Sequence, residues 1–157
     1  MQKNLLEGQL EQRDIDSASE YINHVANLLR LNHHHVIHIK DVEGSEETSS
    51  EMLEFVPEIT VEPDDIQMTK EYSNAFWKTE LEMVLREKEI GLVVVAGFAA
   101  EHCVLFTYNG AIERGFKTAI LHKGILSTQN EAIHNTYSER HMISYPVIEF
   151  LLHDEDK

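Results

Sequence analysis

The sequence has little of several residue types that would direct it towards particular classes of protein. One cysteine among 157 residues excludes an internal disulfide and fits a reducing compartment, so we expect a cytoplasmic protein. Only 13 Lys and Arg residues stand against 28 Asp and Glu, and the formal net charge is −15. That charge repels phosphate backbones and anionic surfaces, so neither nucleic acid nor a membrane is expected as a partner. No apolar run approaches the ~20 residues that a membrane-spanning helix needs.

The order of apolar segments predicts a single α/β domain over residues 1–157. Short runs rich in Val, Ile and Leu alternate with amphipathic stretches, and no repeat or domain-sized linker divides them. This alternation is typical of a three-layer α/β/α fold with a mostly parallel, Rossmann-like sheet. Polar residues at 1–14 and 41–51 predict loops. Strands are predicted at 35–39, 66–68, 92–96 and 117–121, and helices at 18–29, 75–87, 101–114 and 128–141, before a last apolar piece at 147–152.

The chain is organised around residues 92–104, whose sequence is LVVVAGFAAEHCV. The apolar run from Leu92 to Ala96 predicts a strand buried on both faces of the sheet. A tight turn follows, and Cys103 falls in the first turn of an amphipathic stretch. A helix N-terminus carries partial positive charge and free N–H groups, which favour a thiolate. From spacing alone, a nucleophile and a small buried hydrophobic residue are equal alternatives for this cysteine.

Residues in three successive segments, before, around and after Cys103, form a specific pattern. After the predicted strand comes Gly97-Phe98-Ala99-Ala100-Glu101-His102-Cys103-Val104. Upstream and downstream lie Lys70, Ser73, Ala75, Phe76, Thr79, Leu81, Thr107, Ala111, Gly115 and Phe116. The pattern resembles that of the isochorismatase-like cysteine hydrolases, which include nicotinamidases and N-carbamoylsarcosine amidases. The resemblance covers nearly the whole chain and implies the fold of that family and a small-molecule substrate.

The resemblance also implies a role for individual residues. Cys103 is the nucleophile that attacks a carbonyl carbon, and Lys70 stabilises the charges that develop. The alternative for Lys70 is a solvated surface lysine. The backbone N–H groups of Ala99 and Cys103 form the oxyanion hole, aligned by a cis peptide bond between Phe98 and Ala99. The implied reaction is hydrolysis of a small amide or carbamoyl C–N bond through a thioester, in a homodimer or homotetramer.

No metal ion and no organic cofactor are expected. His34 and His38 share one face of a predicted strand but lie about two side-chain repeats apart, too far for one ion. Nicotinamidase-like members place an Asp-x-His group after this strand, whereas Asp41 is followed two residues later by Glu43. The glycines also lack the spacing of a phosphate-binding loop, so a dinucleotide site is not expected.

The beginning of the sequence departs from the family's pattern. The family opens with an apolar strand that ends in the catalytic aspartate, followed by an apolar residue and Gln, and Met1-Gln2 resemble these last two residues. We therefore expect the first, central strand and the catalytic aspartate to lie upstream of Met1. Two alternatives follow. Residues 1–157 are an impaired part of a longer active hydrolase, or they are a non-catalytic member that acts as a binding or subunit-interface protein.

Overall fold

The computed structural model describes residues 1–153, so the end of the predicted domain, 154–157, lies outside the described residues. The helices are α1 (Lys3–Leu6), α2 (Gln12–Leu31), α3 (Leu81–Glu87), α4 (Leu105–Glu113), α5 (Asn130–Glu139) and α6 (Tyr145–His153). The strands are β1 (Ile37–Asp41), β2 (Ile66–Lys70), β3 (Leu92–Phe98), β4 (Lys117–Leu126) and β5 (Met142–Ile143). Helices and parallel strands alternate along most of the chain, which confirms the predicted α/β class. The single-domain boundary stays a prediction.

The described strands form two parallel sheets. β1 pairs with β2, and their register places Asp41 opposite Lys70. β3, β4 and β5 form the second sheet in that order, with Leu92 opposite Lys117. β1 and β3 each keep one edge that no other strand of residues 1–153 occupies, and a cavity of about 800 Å³ lies between them. We call this cavity, bordered by Ile37–Asp41 and Leu92–Phe98, the cleft. The expectation that a central strand lies upstream of Met1 stays a prediction.

Helices pack against both faces of the second sheet. Successive side chains of a strand point to opposite faces, so Val93 and Val94 contact different helices. Val93 packs against a cluster formed by Ala75, Phe76, Leu81, Leu85, Ala111 and Phe116, which centres on α3 and α4. Val94 packs against a cluster formed by Val25, Leu121 and Ile148, which includes α2 and α6. The arrangement is therefore the predicted three layers.

β3 is less buried than its Val-rich sequence predicts. Val95 is buried, but Leu92 is 42% exposed and Ala96 is exposed as well. β3 is therefore packed on both faces but only partly buried, which corrects the prediction of a fully buried strand. The physical reason is that one edge of β3 borders the cleft, so that neighbouring backbone covers this strand from the β4 side alone.

The predicted helix over 75–87 is also too long, because α3 begins only at Leu81. Lys78 has a positive φ of 55°, which a continuous right-handed helix does not allow. The Thr79 hydroxyl donates to the carbonyl of Ala75 at 2.5 Å and accepts from the Leu81 N–H at 3.3 Å. These bonds stabilise the turn and leave Leu81 as the first helical residue.

Residues 1–14 are not the loop that their polarity predicts. They contain α1 and the first residues of α2, separated by Gly8, whose φ of 74° ends the first helix. Leu6 has no exposed surface and belongs to a buried cluster with Ile15, Ala18, Val56 and Leu126. Burial of Leu6 and the backbone bonds from Lys3 and Asn4 to the carbonyls of Glu54 and Met52 hold the segment against the domain. Across the described residues, no helix is both long and apolar enough to cross a bilayer.

Candidate active site

Three side chains converge where β1, β2 and β3 end. Asp41 is the last residue of β1 and Lys70 the last of β2, while Cys103 follows β3 in the turn Ala100–Val104. Parallel strands have their carboxyl ends at the same edge of a sheet, where α/β proteins bind ligands. This rule explains why Lys70 and Cys103 reach the carboxylate of Asp41, although they lie 29 and 62 residues away from it in the sequence.

Lys70 is buried, with 5% of its surface exposed, and it has three partners. Its ammonium group forms an ion pair with the carboxylate of Asp41 and donates to the carbonyl of Tyr72 at 3.0 Å. It also lies 3.3 Å from the Sγ of Cys103. A buried lysine is stable only when its charge is paired, so the Asp41 carboxylate supports the burial of Lys70. Lys70 is thus not a solvated surface lysine.

Asp41 places a carboxylate beside the candidate nucleophile. The Cys103 thiol donates to Asp41 Oδ2 over 3.7 Å, and Asp41 Oδ1 accepts from the Glu43 N–H at 2.9 Å. Sequence reasoning missed this role, because it considered Asp41 only as part of an incomplete Asp-x-His group. A signal was available: Asp41 follows an apolar strand, as Lys70 does, and strand ends share one edge of the sheet.

Gln2 is the second residue that sequence reasoning missed, and it holds the end of β1. Its side chain is buried, its Oε1 accepts from the Asp41 N–H at 2.6 Å, and its Nε2 donates to the Asp41 carbonyl at 3.0 Å. The same Nε2 donates to the carbonyl of Leu53 at 2.9 Å. Gln2 thus satisfies both backbone groups of Asp41 and fixes the residue that carries the carboxylate.

The turn that carries Cys103 differs from the predicted helix start. The peptide bond between Phe98 and Ala99 is cis. The Ala99 carbonyl then accepts from the His102 N–H at 3.0 Å and from the Val104 N–H at 3.2 Å. The second bond spans five residues, so the turn is a wide π-helical turn, and α4 begins only at Leu105. Cys103 thus lies in the first turn of the helical segment, as predicted, but this turn is π-helical rather than α-helical.

His38 belongs to a structural network on β1. It contacts Asp65 Oδ2 through Nε2 at 2.8 Å, and Arg30 donates two bonds to the same carboxylate at 2.9 and 2.6 Å. Burial raises the pKa of Asp65, but bonds from Arg30, the Glu62 N–H and His38 outweigh it and lower the pKa from 3.8 to about 2. Burial also lowers the pKa of His38. In the described chain, no three His, Cys, Asp or Glu side chains are grouped to hold a metal ion.

The cysteine, the lysine and the carboxylate thus lie at the edge of the sheet where open α/β folds bind their ligands. The isochorismatase domain, as a sequence family, matches residues 1–143. The chain therefore belongs to the isochorismatase family, as the motifs around Lys70 and Cys103 predict.

Two curated relatives come from Bacillus subtilis (strain 168). The uncharacterized isochorismatase family protein YwoC is 36% identical over 74 residues, which are 47% of this chain and 39% of that protein. The uncharacterized isochorismatase family protein PncA is 33% identical over 96 residues, which are 61% of this chain and 51% of that protein. The matched stretches thus span about half the length of these relatives or less.

Solved structures share the fold at low identity. N-carbamoylsarcosine amidase from Thermoplasma acidophilum has a TM-score of 0.76 and 18% identity, covering 88% of this chain and 87% of that one. Nicotinamidase PncA from Bacillus subtilis has a TM-score of 0.75 and 19% identity, covering 87% of this chain and 88% of that one. These matches confirm the predicted isochorismatase-like fold.

Proposed function

We propose that this chain is a cysteine-dependent hydrolase that cleaves a small amide or carbamoyl C–N bond through a thioester. One observation carries the proposal: Cys103 Sγ lies 3.3 Å from Lys70 Nζ and 3.7 Å from Asp41 Oδ2. A thiol in this position can pass its proton to the carboxylate, and the ammonium group stabilises the thiolate that remains. The amidase and the nicotinamidase among the structural neighbours support the class of substrate.

The reaction proceeds in two halves. Asp41 takes the proton of Cys103, and Sγ attacks the carbonyl carbon while the N–H groups of Ala99 and Cys103 donate to the oxyanion. The C–N bond breaks, the leaving nitrogen takes the proton from Asp41, and a thioester remains on Cys103. Asp41 then takes a proton from water, which attacks the thioester. The acid product leaves, and the proton returns to the sulfur.

The identity of the base separates this proposal from its alternative. We assign proton transfer to Asp41, whereas the resemblance to the family predicts an aspartate upstream of Met1 as the base and an inactive or severely impaired chain 1–157. The assay measures release of ammonia from nicotinamide and N-carbamoylsarcosine. With Asp41 as the base, Asp41→Asn lowers turnover ~10²–10⁴-fold. The matched variant Asp64→Asn, at an exposed position, leaves it unchanged.

The outcomes of this assay are distinct. Turnover by residues 1–157 that is lost in Asp41→Asn supports the assignment. If turnover appears only after an apolar strand ending in aspartate is added before Met1, the upstream aspartate is the base and Asp41 is not. If neither form releases ammonia, and Cys103 forms no adduct, the chain is the non-catalytic binding or interface protein of the second alternative.

A homodimer or homotetramer is proposed as the assembly. Two large aromatic side chains that follow the candidate active-site strands are exposed to solvent: Trp77 by 52% and Phe106 by 51%. Exposed aromatic residues are enriched at protein interfaces. Light scattering on the purified chain measures the mass in solution, and a monomer at working concentration would contradict this assembly.

A further inference from the structure

We propose that a cavity between α5 and the turn Ala100–Val104 binds a short aliphatic diamine. The cavity has a volume of about 240 Å³ and is lined by Glu101 and Leu105 on one side and by side chains between Gln129 and Arg140 on the other. We call it the α5 pocket. It shares no lining residue with the cleft that includes the candidate active site. This binding site is therefore additional to the proposed chemistry, and its test needs no substrate.

One carboxylate oxygen of the α5 pocket is buried and unpaired. Oε2 of Glu101 has almost no accessible surface, and no group of residues 1–153 forms a hydrogen bond with it. A buried polar atom without a partner destabilises a fold, and a charged group does so more strongly. Because Glu101 lines the pocket, a donor bound there lies within reach of its side chain. The fold thus presents an acceptor that a ligand with N–H groups would pair.

Two donors that line the same pocket bind other acceptors. Nη1 of Arg140 donates to the carbonyl of Glu139 at 3.0 Å and lies 3.4 Å from its Oε2. The hydroxyl of Thr136, a buried residue, donates to the carbonyl of Ala100 at 3.5 Å. Thr136 therefore connects α5 to the turn, and Arg140 is paired at the end of the helix. Neither group neutralises Glu101, so we assign its partner to a ligand.

The charge of the lining selects a cation. Three carboxylates and one guanidinium line the pocket: Glu101, Glu131, Glu139 and Arg140. The whole chain carries a formal net charge of −15, which attracts cations further. Nowhere in residues 1–153 do three His, Cys, Asp or Glu side chains group closely enough for a metal ion, so the geometry favours an organic cation. An ammonium group supplies N–H donors and forms strong, charge-assisted bonds with carboxylates.

The distribution of the carboxylates favours two ammonium groups on one carbon chain. Glu131 lies in the first turn of α5, whereas Glu101 belongs to the turn after β3. The remaining carboxylate, at the end of α5, already lies close to the guanidinium. Leu105 and Ala132 are half-buried in the lining and offer apolar contact to the carbons of a ligand. The volume of about 240 Å³ is far above the ~10–15 Å³ that one water needs, so a short diamine fits between Glu101 and Glu131.

The test titrates the purified chain with diaminobutane, which carries an ammonium group at each end of a short carbon chain. Isothermal titration calorimetry at constant ionic strength measures the affinity, and the matched control is butanediol, which has the same length but no charge. We expect saturable one-to-one binding of diaminobutane and a higher melting temperature, because a ligand that binds only the folded chain stabilises it. Butanediol should not bind, and butylamine, with one ammonium group, should bind about tenfold more weakly than diaminobutane.

Three protein variants locate the site. Glu101→Gln keeps the size of the side chain but removes its charge, and it should lower the affinity for diaminobutane about tenfold or more. Glu131→Gln should reduce the affinity for diaminobutane to that for butylamine and leave butylamine binding unchanged. Glu113→Gln, at an exposed position of α4 outside the pocket, should change neither affinity. Oε2 of Glu101 has no partner in residues 1–153 to lose, so Glu101→Gln is expected to fold, and circular dichroism checks this.

Four results would overturn the proposal. The first is the absence of saturable binding, and the second is equal binding of butanediol. The third is equal affinity of the wild type and Glu101→Gln, which would show diffuse attraction of a cation to an acidic surface. The fourth is a dimeric mass, measured by light scattering, that falls to the monomer as diaminobutane is added. That result would show that a lysine of a second copy, rather than a free diamine, occupies the pocket.

Discussion

The contribution of Gln2 can be tested by replacing it with leucine, which has a similar size but cannot form hydrogen bonds. The change removes three bonds: two to the backbone of Asp41 and one to the carbonyl of Leu53. Each bond contributes ~1 kcal/mol net, and a buried N–H left without a partner costs ~1–3 kcal/mol. Apolar burial of the leucine offsets part of this loss. We therefore expect Gln2→Leu to lower the free energy of unfolding by about 3 kcal/mol, a large share of the ~5–15 kcal/mol of a typical domain.

Urea unfolding followed by circular dichroism measures this difference. The matched control is Gln9→Leu, because Gln9 is exposed, and its free energy of unfolding should stay within ~0.5 kcal/mol of the wild type. In the native protein, Gln2→Leu should also change the rate at which iodoacetamide alkylates Cys103, because the end of β1 and the Asp41 carboxylate become less fixed. If Gln2→Leu unfolds at the same urea concentration as Gln9→Leu, the amide of Gln2 does not hold β1, and the reasoning is refuted.

Two further changes test the fold. The pKa of Asp65 is about 2 in the folded chain against 3.8 for the free group, so its ionised form stabilises the fold above pH ~4, and this contribution falls as the pH approaches 2. In urea titrations, the free energy of unfolding of the wild type should therefore fall by about 2 kcal/mol more than that of Asp65→Asn between pH 5 and pH 2. Equal falls in the two proteins would contradict the network of Arg30, His38 and Asp65. Glu89 follows α3 with φ of 53°, so Glu89→Gly should raise the free energy of unfolding by ~1 kcal/mol. Glu87→Gly, at the last residue of α3, should lower the free energy of unfolding by up to ~1 kcal/mol. If the melting temperatures of both variants shift in the same direction, this geometry is contradicted.

The sequence was informative where local pattern and topology agree. The Val-rich run at 92–96 predicts β3, and the residues after it predict the tight turn that carries Cys103. Lys70 follows a second strand, so the strand-end rule places it near the cysteine. The structure shows these two side chains 3.3 Å apart. Their chemical roles remain part of the proposed function.

Other features depend on contacts that a single sequence does not reveal. Asp41 opens an acidic segment, and its only signal in the sequence is its place after a predicted strand; its contact with Lys70 becomes visible once β1 is placed beside β2. Gln2 resembles an ordinary polar residue near the beginning of the sequence, and only the fold shows its bonds to β1. The late start of the helix predicted at 75–87 depends on the positive φ of Lys78, a conformation that the residue type alone does not predict. β3 is partly exposed because one of its edges borders the cleft, and composition does not show which edges a strand leaves unpaired.

Mass spectrometry of Cys103 after mixing with small amide substrates tests the proposed chemistry most directly. We expect an acyl adduct on the peptide that contains Cys103, and a larger amount of it in Lys70→Ala if loss of the ammonium group slows deacylation. Cys103→Ala should form no adduct and release no ammonia. If Cys103→Ala retains full hydrolytic activity, for example on isochorismate, then Cys103 is not the nucleophile and the cysteine-hydrolase assignment is wrong.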